Sequence, residues 1–244
     1  MWPKITRNYS PNFSLPKRSV KKIKFIIIHY TGMKNENLAI KRLCSLSSNV
    51  SAHYFIKRNG EIINLVPDLY EAWHAGTSKW KNLKSLNQYS IGIEIHNPGH
   101  SHHYKDFSSK QLNSLKLLLK KLIKKYKIKL KNILGHSDIA PERKKDPGEK
   151  FPWKILSKKN IGIWHNLDSK KIKKFRRKKC NQSSLLKFTN NLFKIGYSRY
   201  SQNKIARSKY STLLIKSFQR RFRPELINGK VDYECLLISE NLSK

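Results

Sequence analysis

The sequence predicts an α/β protein: a mixed central β-sheet flanked by helices, followed by a small all-α C-terminal domain. Three observations predict it. Short apolar, β-branched runs recur between residues 24 and 96, two of them around an Asn-Gly pair. A long amphipathic stretch follows them and leads into one more apolar run. After Trp164 the strand pattern stops and only helical periodicity continues.

Residues 1–20 predict an irregular N-terminal arm, interrupted by Pro3, Pro11 and Pro16. Residues 21–164 make the first domain. Its opening run KFIIIHYTG (Lys24–Gly32) predicts a buried strand that ends at a turn. NENLAIKRLCSL predicts a short amphipathic helix. AHYFIKRNGEIINLV (Ala52–Val66) predicts a hairpin, because Asn59-Gly60 tolerates the positive φ angles of a type I′ turn. SIGIEIH (Ser90–His96) predicts another buried strand. The next helix is announced by Ser108 and Gln111, a capping-box pair, and by the stripe Leu112, Leu115, Leu119, Leu122 and Tyr126. NILGH then predicts a strand that leads into a loop.

Residues 165–183 contain the basic run KKIKKFRRKK and predict a linker or exposed helix. Residues 184–244 predict the small helical domain. Leu185, Phe188, Leu192 and Phe193 form one stripe, closed by Gly196. Leu213, Leu214, Phe218 and Phe222 form a second, stopped by Pro224, and Asp232 caps a last short helix.

Bulk composition narrows the function classes. With 38% hydrophobic residues the 244-residue chain has material for a packed core, which excludes global disorder. The net charge of +37 suits a polyanionic partner, such as nucleic acid, anionic lipid or an acidic wall polymer; drift of composition accounts for it equally well. Aromatic-interleaved basic motifs of the known RNA-binding kinds are absent, so no specific nucleic-acid partner is expected. Cys44, Cys180 and Cys235 form no CxxC pair, so reduced thiols are expected. The N-terminus lacks an apolar signal core and no 18-residue apolar run exists. A cytoplasmic monomer is the expectation, with the cell envelope reached by non-standard export as the alternative.

The stretch GHSDIAPERKKDPGEKFPW carries the chemistry. His136 and Asp146 lie in one loop, and His29 ends the strand FIII. Two imidazoles and one carboxylate are a catalytic zinc set that leaves a fourth position open, so one Zn²⁺ per chain is expected. Glu94 sits in an apolar strand, where an unpaired carboxylate is costly. A buried salt bridge would explain it; so would a general base that takes a proton from water. Alternation puts Ile91, Ile93 and Ile95 on one face and Gly92 and Glu94 on the other. His100, His102 and His103 predict a solvated loop.

Five ordered motifs resemble a family: IIIHYTG, SAHYFIKRNGEI, AWHAG, SIGIEIHNPG and GHSDIAPERKKDPG, over Lys24 to Trp153. They are similar to the zinc-dependent N-acetylmuramoyl-L-alanine amidases of the amidase-2 type, and the tail LIKSFQRRFRPELINGKVDYE resembles a peptidoglycan-binding domain. The resemblance implies that His29, His136 and Asp146 hold zinc, with Glu94 as general base. It implies that Lys144 stabilises the oxyanion, that His53, Trp73 and His74 contact substrate, and that Asp138 is no ligand. The implied substrate is peptidoglycan or an anhydromuropeptide, cut between N-acetylmuramic acid and L-alanine. The alternatives are a non-catalytic peptidoglycan receptor on the same fold and, from the net charge, a basic nucleic-acid-binding protein.

Overall fold

The computed structural model describes residues 5–198 and 204–244. Its strands are β1 (Ile5–Arg7), β2 (Phe13–Ser14), β3 (Phe25–Tyr30), β4 (Tyr54–Ile56), β5 (Ile62–Asn64), β6 (Glu71–Ala72), β7 (Lys79–Trp80), β8 (Leu83–Lys84), β9 (Ser90–Ile95) and β10 (Ile133–Gly135). Its helices are α1 (Glu36–Cys44), α2 (Ser109–Tyr126), α3 (His136–Ile139), α4 (Trp153–Ser157), α5 (Ser169–Lys173), α6 (Gln182–Ile195), α7 (Lys204–Phe222) and α8 (Tyr233–Leu242).

Six strands form the central sheet in the order β1-β5-β4-β9-β3-β10. The sheet is mixed, as the sequence predicts: β4 and β5 pair antiparallel, and the β4-β9-β3-β10 block is parallel. The hairpin forms around Asn59-Gly60, with one difference. Gly60 alone takes positive φ, and its N–H donates to Lys57 O at 2.9 Å, so the turn is not the two-residue type expected.

Alternation along β3 and β9 divides the core. Ile26, Ile28, Ile91, Ile93 and Ile95 pack under Leu115, Leu118, Leu119 and Leu122 of α2. That helix starts with the predicted capping box, Ser108 and Gln111 bonding reciprocally at 3.1 and 3.0 Å. On the opposite face, Phe25, Ile27 and Leu134 pack with Phe188, Leu192, Phe218 and Phe222 of α6 and α7.

One expectation about domains changes here. The arm is not irregular: β1 pairs parallel with β5 at the sheet edge and β2 pairs with β6. Residues 1–4 lie outside the described residues. The helical segment 184–244 packs against one face of the central sheet through Phe188, Leu192, Phe218 and Phe222. The basic stretch before it holds the mostly exposed helix α5, with Ile172 buried and Arg176 forking onto Glu234 of α8 at 2.6 and 2.9 Å.

Polar contacts join α7, and Tyr197 just after α6, to β10 and α3. Tyr197 Oη donates to Asp138 Oδ1 at 2.7 Å, and Arg221 donates to Asp138 Oδ2 and, at 2.9 Å, to Ile133 O. Ser217 Oγ donates to Ser137 O at 2.6 Å. No described helix is long and apolar enough to cross a membrane.

Candidate metal centre and cleft

The carboxyl ends of the parallel strands β3, β9 and β10 lie together, which is where open α/β sheets place their sites. His29 is the fifth residue of β3, and Glu94 is its register partner on β9. Adjacent parallel strands point register partners to the same face, so both side chains rise on one side. His136 follows β10 directly and opens the short helix α3. Asp146 returns to it because Ser137 N–H donates to Asp146 O at 2.9 Å, which closes the loop 137–146.

These segments bring three donor atoms to one point. His29 Nδ1 and His136 Nδ1 are 2.9 Å apart, and Asp146 Oδ2 is 3.1 Å from each. All three side chains are buried. Among the described residues this is the one group of three or more such side chains that could hold a metal ion. The fit is chemical as well as geometric: two imidazole nitrogens and a carboxylate oxygen, all electron-pair donors, converge.

Electrostatics agree with that use. Burial, then the neighbouring His136, lowers the His29 imidazole to about 4, so it is neutral at neutral pH. Burial alone would raise the Asp146 carboxyl, but His136 and His29 outweigh it and hold it below the usual carboxylate range. Burial, then the charge of Asp146, raises Glu94 to about 8, and Lys144 opposes that rise. Glu94 Oε2 is buried and has no hydrogen-bond partner, so it has accepting capacity to spare.

A cleft of about 440 Å³ opens over the centre, and Trp73, His74, Glu94, His136, Lys144 and Asp146 line it. His29 lies beneath, 1% exposed. Trp73 is half-buried and donates through Nε1 to Ser14 Oγ at 2.9 Å. Burial, then His29, pushes the His74 imidazole well below the usual histidine range.

His53 is not brought to the cleft. It is 0% exposed; its Nδ1 accepts from Gly92 N at 3.0 Å and its Nε2 donates to Tyr70 O at 3.0 Å. The three-histidine loop is not simply solvated either. His100 Nε2 pairs with Glu149 at 3.0 Å and His100 Nδ1 meets Tyr30 Oη at 2.8 Å, on the cleft wall.

Residues that sequence reasoning passed over support the site. Asp138 accepts from Gly135 N at 2.7 Å and so shapes the turn that aims His136. Arg143 donates to Ala75 O and to Thr77 O, tying the loop 141–146 to the segment 73–77. Ser90, at the start of β9, bonds His74. A sequence signal exists for Asp138 alone, an acid in an apolar surrounding of a very basic chain.

Comparison with known proteins gives a consistent result. The family described as N-acetylmuramoyl-L-alanine amidase (Amidase_2) matches residues 19–149. N-acetylmuramoyl-L-alanine amidase AmiD of Escherichia coli is 34% identical over 239 residues, covering 91% of this chain and 82% of that protein. The structure of E. coli AmiD with anhydro-N-acetylmuramic acid-L-Ala-D-γ-Glu-L-Lys superposes with a TM-score of 0.79 at 32% identity, over 94% of this chain and 91% of that one. AmpDh3 of Pseudomonas aeruginosa with anhydromuramic pentapeptide superposes with a TM-score of 0.77 at 32% identity, over 95% of both chains.

Proposed function

The chain belongs to the N-acetylmuramoyl-L-alanine amidase (Amidase_2) family, and from that premise we propose that it is a zinc-dependent hydrolase of muropeptides. The bond cut is the amide between the lactyl group of N-acetylmuramic acid, or its 1,6-anhydro form, and L-alanine. The observation that carries this reading is the meeting of His29, His136 and Asp146 in one cleft with the partnerless carboxylate oxygen of Glu94.

Zinc suits a donor set of two imidazoles and a carboxylate; held by His29, His136 and Asp146, it would polarise the scissile carbonyl and acidify a water. The other roles fall to the chain's own side chains. In its ionised form, which a cation held at the centre would favour, Glu94 takes a proton from the attacking water and returns one to the leaving nitrogen. The lysine ammonium of Lys144 faces the charge that develops on the carbonyl oxygen. The C–N bond breaks to give a lactyl carboxylate and the free amine of the alanyl peptide. Trp73 offers a half-buried aromatic edge to the substrate at the rim.

Segment 184–244 would extend the substrate surface as a peptidoglycan-binding element. A second hollow of about 460 Å³ supports this, running from Lys144 and Lys145 to Lys216 and Arg220 of α7. Its cations suit the carboxylates of a stem peptide.

The test is mass analysis of products from an anhydromuramoyl peptide incubated with zinc-loaded protein. Anhydro-N-acetylmuramic acid and an intact peptide with a free alanyl amine are expected, and chelator should abolish both. Binding without cleavage would turn the assignment to a receptor.

A further inference from the structure

Ser90 is fully buried and its hydroxyl carries a single hydrogen. Ser90 Oγ lies 2.6 Å from Leu86 O, a carbonyl that only accepts, so the hydrogen points there. The same oxygen lies 3.1 Å from His74 Nε2 and must accept from it. His74 therefore carries its proton on Nε2 and presents a lone pair at Nδ1. That lone pair faces His29 Nε2 at 3.1 Å, so His29 is protonated on Nε2. Its other nitrogen, Nδ1, is left bare, and it is the atom turned to His136 and Asp146.

The neighbouring residue treats the second imidazole alike. Ala75 O, again only an acceptor, lies 3.0 Å from His136 Nε2. The proton of His136 therefore sits on Nε2 and its Nδ1 faces the centre.

We propose that the segment Trp73–Gly76 is the positioning element of the metal centre, His74 setting the tautomer of His29 and the Ala75 carbonyl that of His136. This rests on the reading that His29, His136 and Asp146 hold a metal. Groups that orient ligating imidazoles in this way tune metal affinity without touching the ion.

Two further features make the segment rigid. Asn87 Oδ1 accepts from both His74 N and Ala75 N, at 3.1 and 2.6 Å, which pins the backbone. The His74 ring lies against Gly92, and a Cβ at position 92 would overlap the ring. This explains a glycine in the middle of an apolar strand, where it otherwise weakens pairing. Both ring nitrogens of His74 are used by His29 and Ser90, so only its carbon edge is left for a substrate.

The experiment measures zinc affinity of the full chain by competition with a chromophoric chelator. His74→Phe keeps the volume and removes the acceptor; a loss of about 10–100-fold is expected. His74→Asn puts Oδ1 where Nδ1 accepts and should stay close to wild type. Gly92→Ala, which displaces the ring, should weaken zinc as His74→Phe does. Zinc binding by His74→Phe as tight as wild type would overturn the proposal. A wild-type chain that binds no zinc would instead overturn the metal reading. A second readout needs no variant: long-range ¹H–¹⁵N spectra of the imidazoles in the zinc-loaded wild type. Nε2–H on both His29 and His74 is expected, and Nδ1–H on either would overturn the proposal.

Discussion

His29 Nδ1 and His136 Nδ1 lie 2.9 Å apart although 107 residues separate them in sequence. The pairing follows from topology: β3 and β10 are parallel neighbours, and each histidine stands at the carboxyl end of its strand. Asp146 completes the triangle from the far end of the loop that His136 begins.

Glu94 is separable from this triangle, because it touches none of the three donor atoms through a hydrogen bond among the described residues. Glu94→Gln keeps the shape and removes the base. Its zinc content should match wild type while kcat falls about 10²–10⁴-fold, the usual contribution of general base catalysis. Near-normal turnover would remove Glu94 from the reaction.

Stability against pH offers a check on the burial of Glu94. Its folded-state pKa is about 8, raised by burial and then by Asp146, against 4.5 for an ordinary glutamate. The unfolded chain therefore gives up this proton from pH 4.5 upward while the folded chain keeps it until about 8. The stability from this group is fully present below 4.5 and is lost progressively up to pH 8. Urea unfolding of chelator-stripped wild type and Glu94→Gln should show the variant gaining on wild type from pH 5 to 8. Parallel pH curves would mean that the carboxylate is solvated.

Removing the C-terminal helices should harm the central sheet. A chain ending at Trp164 would expose Phe25, Ile27 and Leu134 and leave Asp138 without Arg221 and Tyr197. Cooperative thermal unfolding should disappear in the truncated chain. The milder Arg221→Met breaks a buried ion pair and should destabilise the full chain by about 3–5 kcal/mol. A sharp melting transition near that of the full chain after truncation would show that residues 21–164 fold alone.

Much of the candidate site is legible in the sequence because its residues end apolar strands. His29 follows FIII and His136 follows NILG, and Glu94 is the one charged residue in the alternating strand SIGIEI. Periodicity gives an element and its face, but not what covers that face. Residues 184–244 thus read as a separate helical unit, although Phe188, Phe218 and Phe222 pack on the sheet. The strand Ile5–Arg7 is not legible in the sequence for a related reason: it is three residues long among prolines, and its partner Ile62–Asn64 lies more than fifty residues away. His53 is buried by contacts from distant segments, with Arg18 Nη2 2.9 Å from its ring and Tyr70 O accepting from it. No local pattern encodes those contacts.

The most direct measurement is zinc stoichiometry by elemental analysis after dialysis, for wild type, His29→Ala, His136→Ala and Asp146→Ala. Wild type should retain one zinc per chain, and each variant should lose it together with amidase activity, since a tetrahedral site stripped to two protein ligands holds the ion poorly. Stoichiometric zinc in any folded variant, or none in wild type, would contradict the assignment of the centre to these three residues.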